Sequence, residues 1–209
     1  MAKLKSTFKN MFLSLSIICL AIAILLAQVN KLTAKPIAEA KMQKLQTAIG
    51  DVVPEFDNDP ISEAYIIESE GGDSLLVYPA TKGDEVVGYA IKSYSNGFAG
   101  EIQIIVGFDI DEKIVNYSIL QHSETPGLGS KMDEWFKDIE SKSKSIIGRD
   151  MSKGNLSVTK DGGDIDAITA STITSRAFLN AINRAYNAYN ESKVDSTSGA
   201  SNQRKDNEK

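Results

Sequence analysis

Cysteine and histidine are nearly absent from this chain of 209 residues, which contains one of each, Cys19 and His122. A disulfide framework needs at least two cysteines, and Cys/His zinc, iron–sulfur and c-type haem sites need sets of such ligands. The sequence lacks the residues for all of these sites. Any redox or hydrolytic chemistry must therefore depend on an organic cofactor, on hydroxyl groups or on oxygen ligands.

Acidic residues are missing from the first 31 positions, where the charged side chains are Lys3, Lys5, Lys9 and Lys31. This segment carries a formal charge of +4. Since the whole chain has 23 basic and 28 acidic residues, the remaining residues hold 19 basic and 28 acidic side chains, a charge of −9. An acidic balance of this size argues against nucleic acid as a partner.

Residues 10–30 form an uncharged, largely apolar run of 21 residues. As a helix this run is long enough to cross a hydrocarbon core of roughly 30 Å. Lysines precede it and the chain after it is charge-mixed, which favours residues 1–9 in the cytoplasm and the rest outside. No small-x-small cleavage site follows the run, which favours a retained anchor over a cleaved signal peptide. We therefore predict a single-pass protein of the bacterial inner (cytoplasmic) membrane with an extracytoplasmic (periplasmic) C-terminal domain.

The remainder of the chain has the pattern of an α+β domain, an antiparallel sheet with packed helices. A membrane-proximal helix over residues 34–50 and a loop over 51–60 make up a 31–60 segment. Helical spacing predicts a helix over residues 132–143 and a last helix whose apolar positions run from 177 to about 189. The polar tail at 192–209 is expected to be disordered. The domain proper is predicted at 61–191. Branched and aromatic runs predict strands at 64–68, 75–78, 85–93, 101–109 and 113–120, the last two joined by a hairpin turn at 109–112.

Three motifs lie in predicted loops. The first, H-S-E-T-P-G-L-G at 122–129, has glycines that open the backbone to a flat ligand, although Pro-Gly alone is typical of a turn. The second, D-I-D-A-I-T-A-S-T-I-T-S-R at 164–176, has five hydroxyl side chains in seven residues at the start of the last helix. Capping explains some of them, and the free N–H groups of a first helical turn also stabilise phosphate. The third, N-G-F-A-G-E-I at 96–102, is sufficiently explained as a hairpin connection.

Taken together and in this order, G-F-x-G-x-I, V-G-F-D, H-x-E-T-P-G-L-G and D-A-I-T-A-S-T-x-T-S resemble the FMN-binding domain family. Its best-known members are the G subunit of the Rnf ion-translocating electron-transport complex and the C subunit of the sodium-translocating NADH:quinone reductase. The resemblance extends from the anchor to the final helix. The compact length favours the Rnf protein, because its quinone reductase counterpart is typically longer.

The resemblance implies a covalent FMN, esterified through its phosphate to the threonine that ends the S/T-G-A-T form of the last motif. The matching residue is Thr172, with Ala170 and Ser171 where the family usually has glycine and alanine; Thr169 and Ser171 remain alternative attachment sites. Phe98 and Lys160 are possible neighbours of the cofactor, although core and surface roles are commoner for such residues. The implied cofactor-binding residues come from the last motif and the 122–129 motif: Ser171, Thr172, Ile173, Thr174, Glu124, Thr125, Gly127, Leu128 and Gly129.

The resemblance also implies an electron-carrying subunit rather than a complete enzyme, with no catalytic residues and no metal site of its own. Its complex would couple electron transfer from ferredoxin to NAD to ion translocation. The implied partners are the other membrane subunits and a flavin transferase that installs FMN from FAD with Mg²⁺ at residues 166–172. Two alternatives stay open. One is a component like that of the quinone reductase or another flavinylated extracytoplasmic reductase, and the other is a non-redox, membrane-anchored binding module.

Overall fold

The computed structural model describes residues 7–68 and 72–198. By contacts these fall into two units that divide between Lys44 and Leu45. The first unit is helical. Helix α1 spans Phe8–Val52, so its residues from Leu45 onward belong to the second unit. It is the one helix in the described part of the chain that is long and apolar enough to cross a membrane. The apolar side chains of its N-terminal half are exposed, and a membrane span would place them in lipid.

The long helix differs from the prediction of two helical segments. Helix α1 is continuous, with Pro36 inside it and Gly50 two residues before its end. A proline removes one backbone hydrogen bond and disfavours a helix interior, but α1 continues through Pro36, which lies between the good helix formers Lys35 and Ala38. The predicted start of a separate helix near residue 34 and its predicted end at Gly50 are therefore wrong.

The second unit is built on a five-stranded antiparallel sheet with strand order β1-β2-β3-β4-β5. The α+β class predicted from the sequence is confirmed, as is the hairpin turn at 109–112, where β4 pairs with β5. The predicted and observed strands agree to within four residues at each end. Their bounds are β1 Tyr65–Glu68, β2 Ser74–Lys82, β3 Glu85–Asn96, β4 Glu101–Asp109 and β5 Ile114–Gln121.

Both faces of the sheet are covered, and strand β4 shows this most clearly. Its Ile104 and Val106 belong to the larger core cluster, whereas Ile105 belongs to a smaller cluster on the opposite face. Alternate residues of a strand point to opposite faces, so a strand buried on both sides has a nearly continuous apolar sequence. The larger core includes the apolar face of α3 (Thr172–Ser198). The smaller one includes four residues at and just after the end of α1: Ala48, Ile49, Val52 and Val53.

The helix expected at 132–143 is much shorter, because α2 spans only Met132–Trp135. The residues that follow form turns, in which Ser141 N–H donates to the Asp138 carbonyl and Lys144 N–H donates to the Ser141 carbonyl. Aspartate and serine favour turns over helix interiors because their side chains compete for backbone hydrogen bonds. The turns bring Ile146 into the larger core together with Met132.

Helix α3 continues to Ser198, beyond the predicted end at Tyr189. The first glycine or proline after Tyr189 is Gly199, so no helix breaker interrupts the segment that was expected to be disordered from residue 192. The remaining part of that predicted tail, 199–209, lies outside the described residues.

Candidate cofactor-binding site

A cavity of about 320 Å³ opens where the first turn of α3 meets two loops of the sheet. Its size lies within the roughly 300–1,000 Å³ typical of small-molecule sites. The β3–β4 connection contributes Phe98, and the chain after β5 contributes part of the 122–129 motif. The lining residues are Phe98, Glu124, Thr125, Leu128, Gly129, Ala170, Ser171, Thr172, Ile173 and Thr174.

The hydroxyl cluster at the start of α3 divides into groups with different surroundings. Ser175 is fully buried, and its Oγ donates to the Ser171 carbonyl oxygen and accepts the Ile168 N–H, both at 3.0 Å. Thr169 is exposed and is not part of the cavity wall. Thr172 is half-buried, lines the cavity and is the first residue of the helix. The cluster therefore includes both structural hydroxyls and hydroxyls that face the cavity.

Thr172 is also in contact with the side chain of Lys160. The Lys160 ammonium donates to Thr172 Oγ1 at 3.2 Å. The N–H groups of residues 172–174 lie in the first helical turn, where backbone donors have no carbonyl partner within the helix. The cavity wall around Thr172 thus combines a hydroxyl, a cation and backbone donors, a set that stabilises an anionic oxygen group.

Glu124 is a buried carboxylate beside this wall, with 5% of its surface exposed. Thr174 Oγ1 donates to Glu124 Oε2 at 2.7 Å, and the backbone N–H of Ala99 donates to Glu124 Oε1 at 3.0 Å. Charge-assisted hydrogen bonds of this kind compensate for the desolvation of a carboxylate. The side chain therefore links the start of α3 to the β3–β4 connection.

The Glu124 carboxylate occupies space that is open because two neighbouring residues, Gly97 and Gly129, have no side chain. A Cβ atom at Gly129 would lie 2.6 Å from Glu124 Oε2 and 2.9 Å from Thr174 Oγ1. A Cβ atom at Gly97 would clash with Glu124 Oε1. Because any side chain at either position would displace the carboxylate, Gly97 and Gly129 are required by close packing rather than by a turn conformation.

The hydrogen bonds of Glu124 lead to a stability prediction. We expect Glu124→Ala to lower the free energy of unfolding by about 1–3 kcal/mol, because it leaves the buried Thr174 hydroxyl and the Ala99 N–H without their acceptor. Glu124→Gln should cost less, since an amide can still accept one hydrogen bond at this position. Thermal unfolding of the full chain in detergent measures the difference, with exposed Glu101→Ala as the control. Equal melting temperatures for the wild type and Glu124→Ala would contradict this account.

Gly127 is the one predicted site residue outside the cavity wall. It has φ = 76°, and its N–H donates to Ser130 Oγ at 2.9 Å. The Leu128 N–H donates to the Thr125 carbonyl oxygen at 3.1 Å, which closes a turn around it. Gly127 therefore supports the loop, whereas the other eight predicted residues are brought together at one cavity.

Ala170 lines the cavity, although in the sequence it stands out only as a departure from a family glycine. It has φ = 62° and is one of two non-glycine residues with positive φ in the described chain. This left-handed conformation costs an L-residue roughly 1–2 kcal/mol and glycine much less. The glycine usual in the family motif was the available signal, because it indicates a position that needs positive φ.

We expect Ala170→Gly to stabilise the protein by about 1 kcal/mol, because glycine relieves the strain at this φ. For a chain of this size the melting temperature should rise by roughly 2–4 °C. Thr169→Gly is the matched control, because Thr169 is exposed in the same turn without a positive φ, and it should be neutral or destabilising. A lower melting temperature for Ala170→Gly would show that residue 170 is not strained.

Comparison with known proteins gives three kinds of similarity. Residues 97–187 match the model of the FMN-binding domain. The chain is 31% identical over 179 residues to the G subunit of the ion-translocating oxidoreductase complex of Stutzerimonas stutzeri, covering 83% of this chain and 77% of that protein. It is 34% identical to the protein of the same name from Shewanella amazonensis, covering 86% of each chain. The Vibrio parahaemolyticus protein of that name is also 34% identical, with 87% of this chain and 89% of that one covered.

Among solved structures, the chain is similar to the C subunit of the Na⁺-translocating NADH-quinone reductase from Parabacteroides distasonis. That similarity covers 70% of this chain and 81% of the other, with 19% identity and a TM-score of 0.48.

Proposed function

This chain belongs to the family of G subunits of ion-translocating oxidoreductase complexes and contains an FMN-binding domain, and from that premise we propose that it is an electron-carrying flavoprotein with FMN joined covalently to Thr172. The bond is a phosphoester between Thr172 Oγ1 and the phosphate of FMN. The protein passes electrons between redox centres of a complex that oxidises ferredoxin, reduces NAD and moves ions.

The observation that carries this proposal is the position of the Thr172 hydroxyl. It lies in the cavity wall at the start of α3, with the Lys160 ammonium 3.2 Å away and the free N–H groups of the first turn beside it. Phosphate is an anion that such a helix end stabilises. Ser171 is more deeply buried and Thr169 is outside the cavity wall, which supports Thr172 over both alternatives.

The rest of the cavity suits a flavin. Leu128, Ile173 and Phe98 offer large apolar side chains at its rim, with 42%, 52% and 70% of their surfaces exposed. Thr125 offers a hydroxyl, and the Glu124–Thr174 pair gives the wall a fixed polar group. A planar, partly apolar ring with polar edges matches this combination of surfaces.

Bound FMN supplies electron transfer in steps of one or two electrons. The chain contributes attachment through Thr172, neutralisation of the phosphate charge and an apolar rim around the ring. Linkage through phosphate leaves the ring atoms unmodified, so hydrogen bonds and local polarity set the flavin potential. The single cysteine lies in α1, and the single histidine, His122, is not among the residues of the cavity wall, which supports a hydroxyl over a ring-linked flavin.

The proposed location explains why the bond is covalent. With α1 as a single membrane span and residues beyond it outside the cytoplasm, a dissociated FMN would not be replaced from the cytoplasmic pool. The partners in this proposal are the other membrane subunits of the complex and a flavin transferase. The transferase uses FAD and Mg²⁺: the bond between Thr172 Oγ1 and the FMN phosphorus forms, the phosphoanhydride bond breaks, AMP leaves with the bonding electrons, and the hydroxyl proton passes to a base of the transferase.

Mass spectrometry of protein produced together with a flavin transferase tests this function. Trypsin cleavage after Lys160 and Arg176 releases residues 161–176 as one peptide. We expect this peptide to carry the mass of FMN minus water, and the intact protein to give a fluorescent flavin band on a denaturing gel. An unmodified peptide from protein exposed to an active transferase would favour the non-redox binding module instead.

A further inference from the structure

The Lys160 side chain reaches the hydroxyl of Thr172 in the cavity wall. We propose that Lys160 is the positioning residue for flavin attachment: it holds the Thr172 hydroxyl before the transfer and pairs with the phosphoester charge afterwards. This inference rests on the proposed covalent flavin at Thr172. It assigns a function to a residue outside the motif, twelve positions before the threonine that it contacts.

The backbone of Lys160 is held in place by contacts on both sides. Lys160 is the central residue of a 3-10 turn, Thr159–Asp161, that follows the buried Val158. Thr159 N–H donates to the Ile165 carbonyl oxygen at 2.8 Å, and Ile165 is fully buried. Because the turn is attached to the core before the start of α3, the origin of the lysine side chain is defined relative to the helix.

A second attachment joins this turn directly to α3. Arg176 donates through Nε and Nη2 to the two carboxylate oxygens of Asp161, each at 2.6 Å. The Arg176 guanidinium holds the pKa of Asp161 below its ordinary value. Paired carboxylate–guanidinium bonds restrict orientation as well as distance. Arg176 lies one helical turn after Thr172, so this ion pair keeps the Lys160 turn next to the threonine.

The charge of Lys160 is available for an anion. Within the described residues, its ammonium donates to the neutral hydroxyl of Thr172. The Lys160 charge contributes, after Arg176, to the lowered pKa of the adjacent Asp161, but both carboxylate oxygens of Asp161 accept hydrogen bonds from Arg176. Asp164 is paired with Arg149. The ammonium therefore contacts the oxygen that would become the ester oxygen, and no carboxylate of the described residues lies within ion-pair distance of it.

This arrangement explains how the chain assists the transfer. A cation that donates to Oγ1 fixes the rotation of the threonine side chain and stabilises negative charge as the hydroxyl loses its proton. Once Oγ1 is bonded to phosphorus, the phosphoryl oxygens lie next to the same ammonium, which then balances their charge. The partial positive charge at the N-terminus of α3 also stabilises the negative phosphoryl group.

The rate of flavin attachment in vitro tests the inference. Full-length apoprotein is incubated with a purified flavin transferase, FAD and Mg²⁺, and the label is followed by gel fluorescence and intact mass. We expect Lys160→Met to lower kcat for labelling by about tenfold or more, as for loss of a charge-assisted hydrogen bond, with KM for the apoprotein nearly unchanged. Lys160→Arg should restore most of the rate, and exposed Lys142→Met, outside the cavity wall, should match the wild type.

Phosphorus NMR of the labelled protein provides a readout that a structural role would not change. We expect the phosphoester resonance to shift in Lys160→Met but not in Lys142→Met, with equal melting temperatures for all variants. Wild-type labelling rates in Lys160→Met would overturn the proposal. An increase in KM alone would also overturn it, because Lys160 would then be a contact for the transferase. Absence of label from the wild type would instead refute the covalent flavin itself.

Discussion

Replacement of Thr172 by valine is expected to reduce covalent flavin to background while the protein remains folded. Valine keeps the shape of threonine but removes Oγ1, the only atom of this side chain that can form the ester. Thr172 is half-buried at the first position of α3, and threonine and valine have similar helix propensities. The free energy of unfolding should therefore change by no more than about 1 kcal/mol.

Two comparisons make this result specific. Thr172→Ser keeps a hydroxyl at the same position and should retain label, whereas Thr169→Val removes a hydroxyl outside the cavity wall and should label as the wild type does. Gel fluorescence and the mass of residues 161–176 measure the outcome. Persistent label in Thr172→Val would move the attachment to another hydroxyl, and peptide fragmentation would identify it.

Gly107→Ala is expected to produce the largest loss of stability. Gly107 lies in β4, and its added Cβ would clash with the carbonyl oxygen of Val52 at the end of α1. Asn116 Nδ2 donates to the carbonyl oxygen of the preceding residue, Asp51, at 2.9 Å, so this helix end is fixed against the sheet. The clash is with backbone rather than with a flexible side chain. We therefore expect a loss of about 3 kcal/mol, and a melting temperature lower by roughly 6–12 °C.

Gly50→Ala is the matched control for this prediction. Gly50 lies inside α1, is exposed and has no atom within 4 Å of an added Cβ. Alanine there should stabilise the protein by about 0.5–1 kcal/mol, because glycine is unfavourable in a helix. Thermal unfolding of the full chain in detergent compares the two variants. A Gly107→Ala protein as stable as the wild type would mean that the end of α1 moves away from β4 at little cost.

The fold was predicted well wherever a short-range pattern defines the element. Strand β4 has the same bounds as predicted, and the resemblance to the FMN-binding domain family is confirmed by the comparisons. The helix ends were predicted less well. Pro36 and Gly50 are common helix boundaries, yet α1 continues through both, and α2 ends at Trp135 although the apolar spacing extends further. Tertiary packing and side chains that compete for backbone hydrogen bonds decide these helix boundaries. Neither effect is visible in the periodicity of the apolar residues.

For the site, motif composition located the loops but not the contacts. Gly127 and Gly129 look alike in the sequence, yet one supports a turn and the other leaves space for Glu124. An alanine at position 170 does not by itself indicate backbone strain, although the residue adopts a positive φ. The sequence favours a solvent-exposed role for Lys160 over contact with the cofactor. Each of these distinctions depends on what lies opposite the residue in space.

The sequence by itself determined the local features: the apolar run near the N-terminus, the alternation of the strands, and the hydroxyl-rich start of the last helix. These follow from neighbouring residues, because strand and helix periodicities and helix-end chemistry act over a few positions. Only the tertiary structure decided that Glu124 meets Thr174, fifty positions away, and that Lys160 meets Thr172. Such contacts depend on how α3 packs against the sheet. Side chains distant in the chain become neighbours only when the apolar residues of the two elements pack into one core.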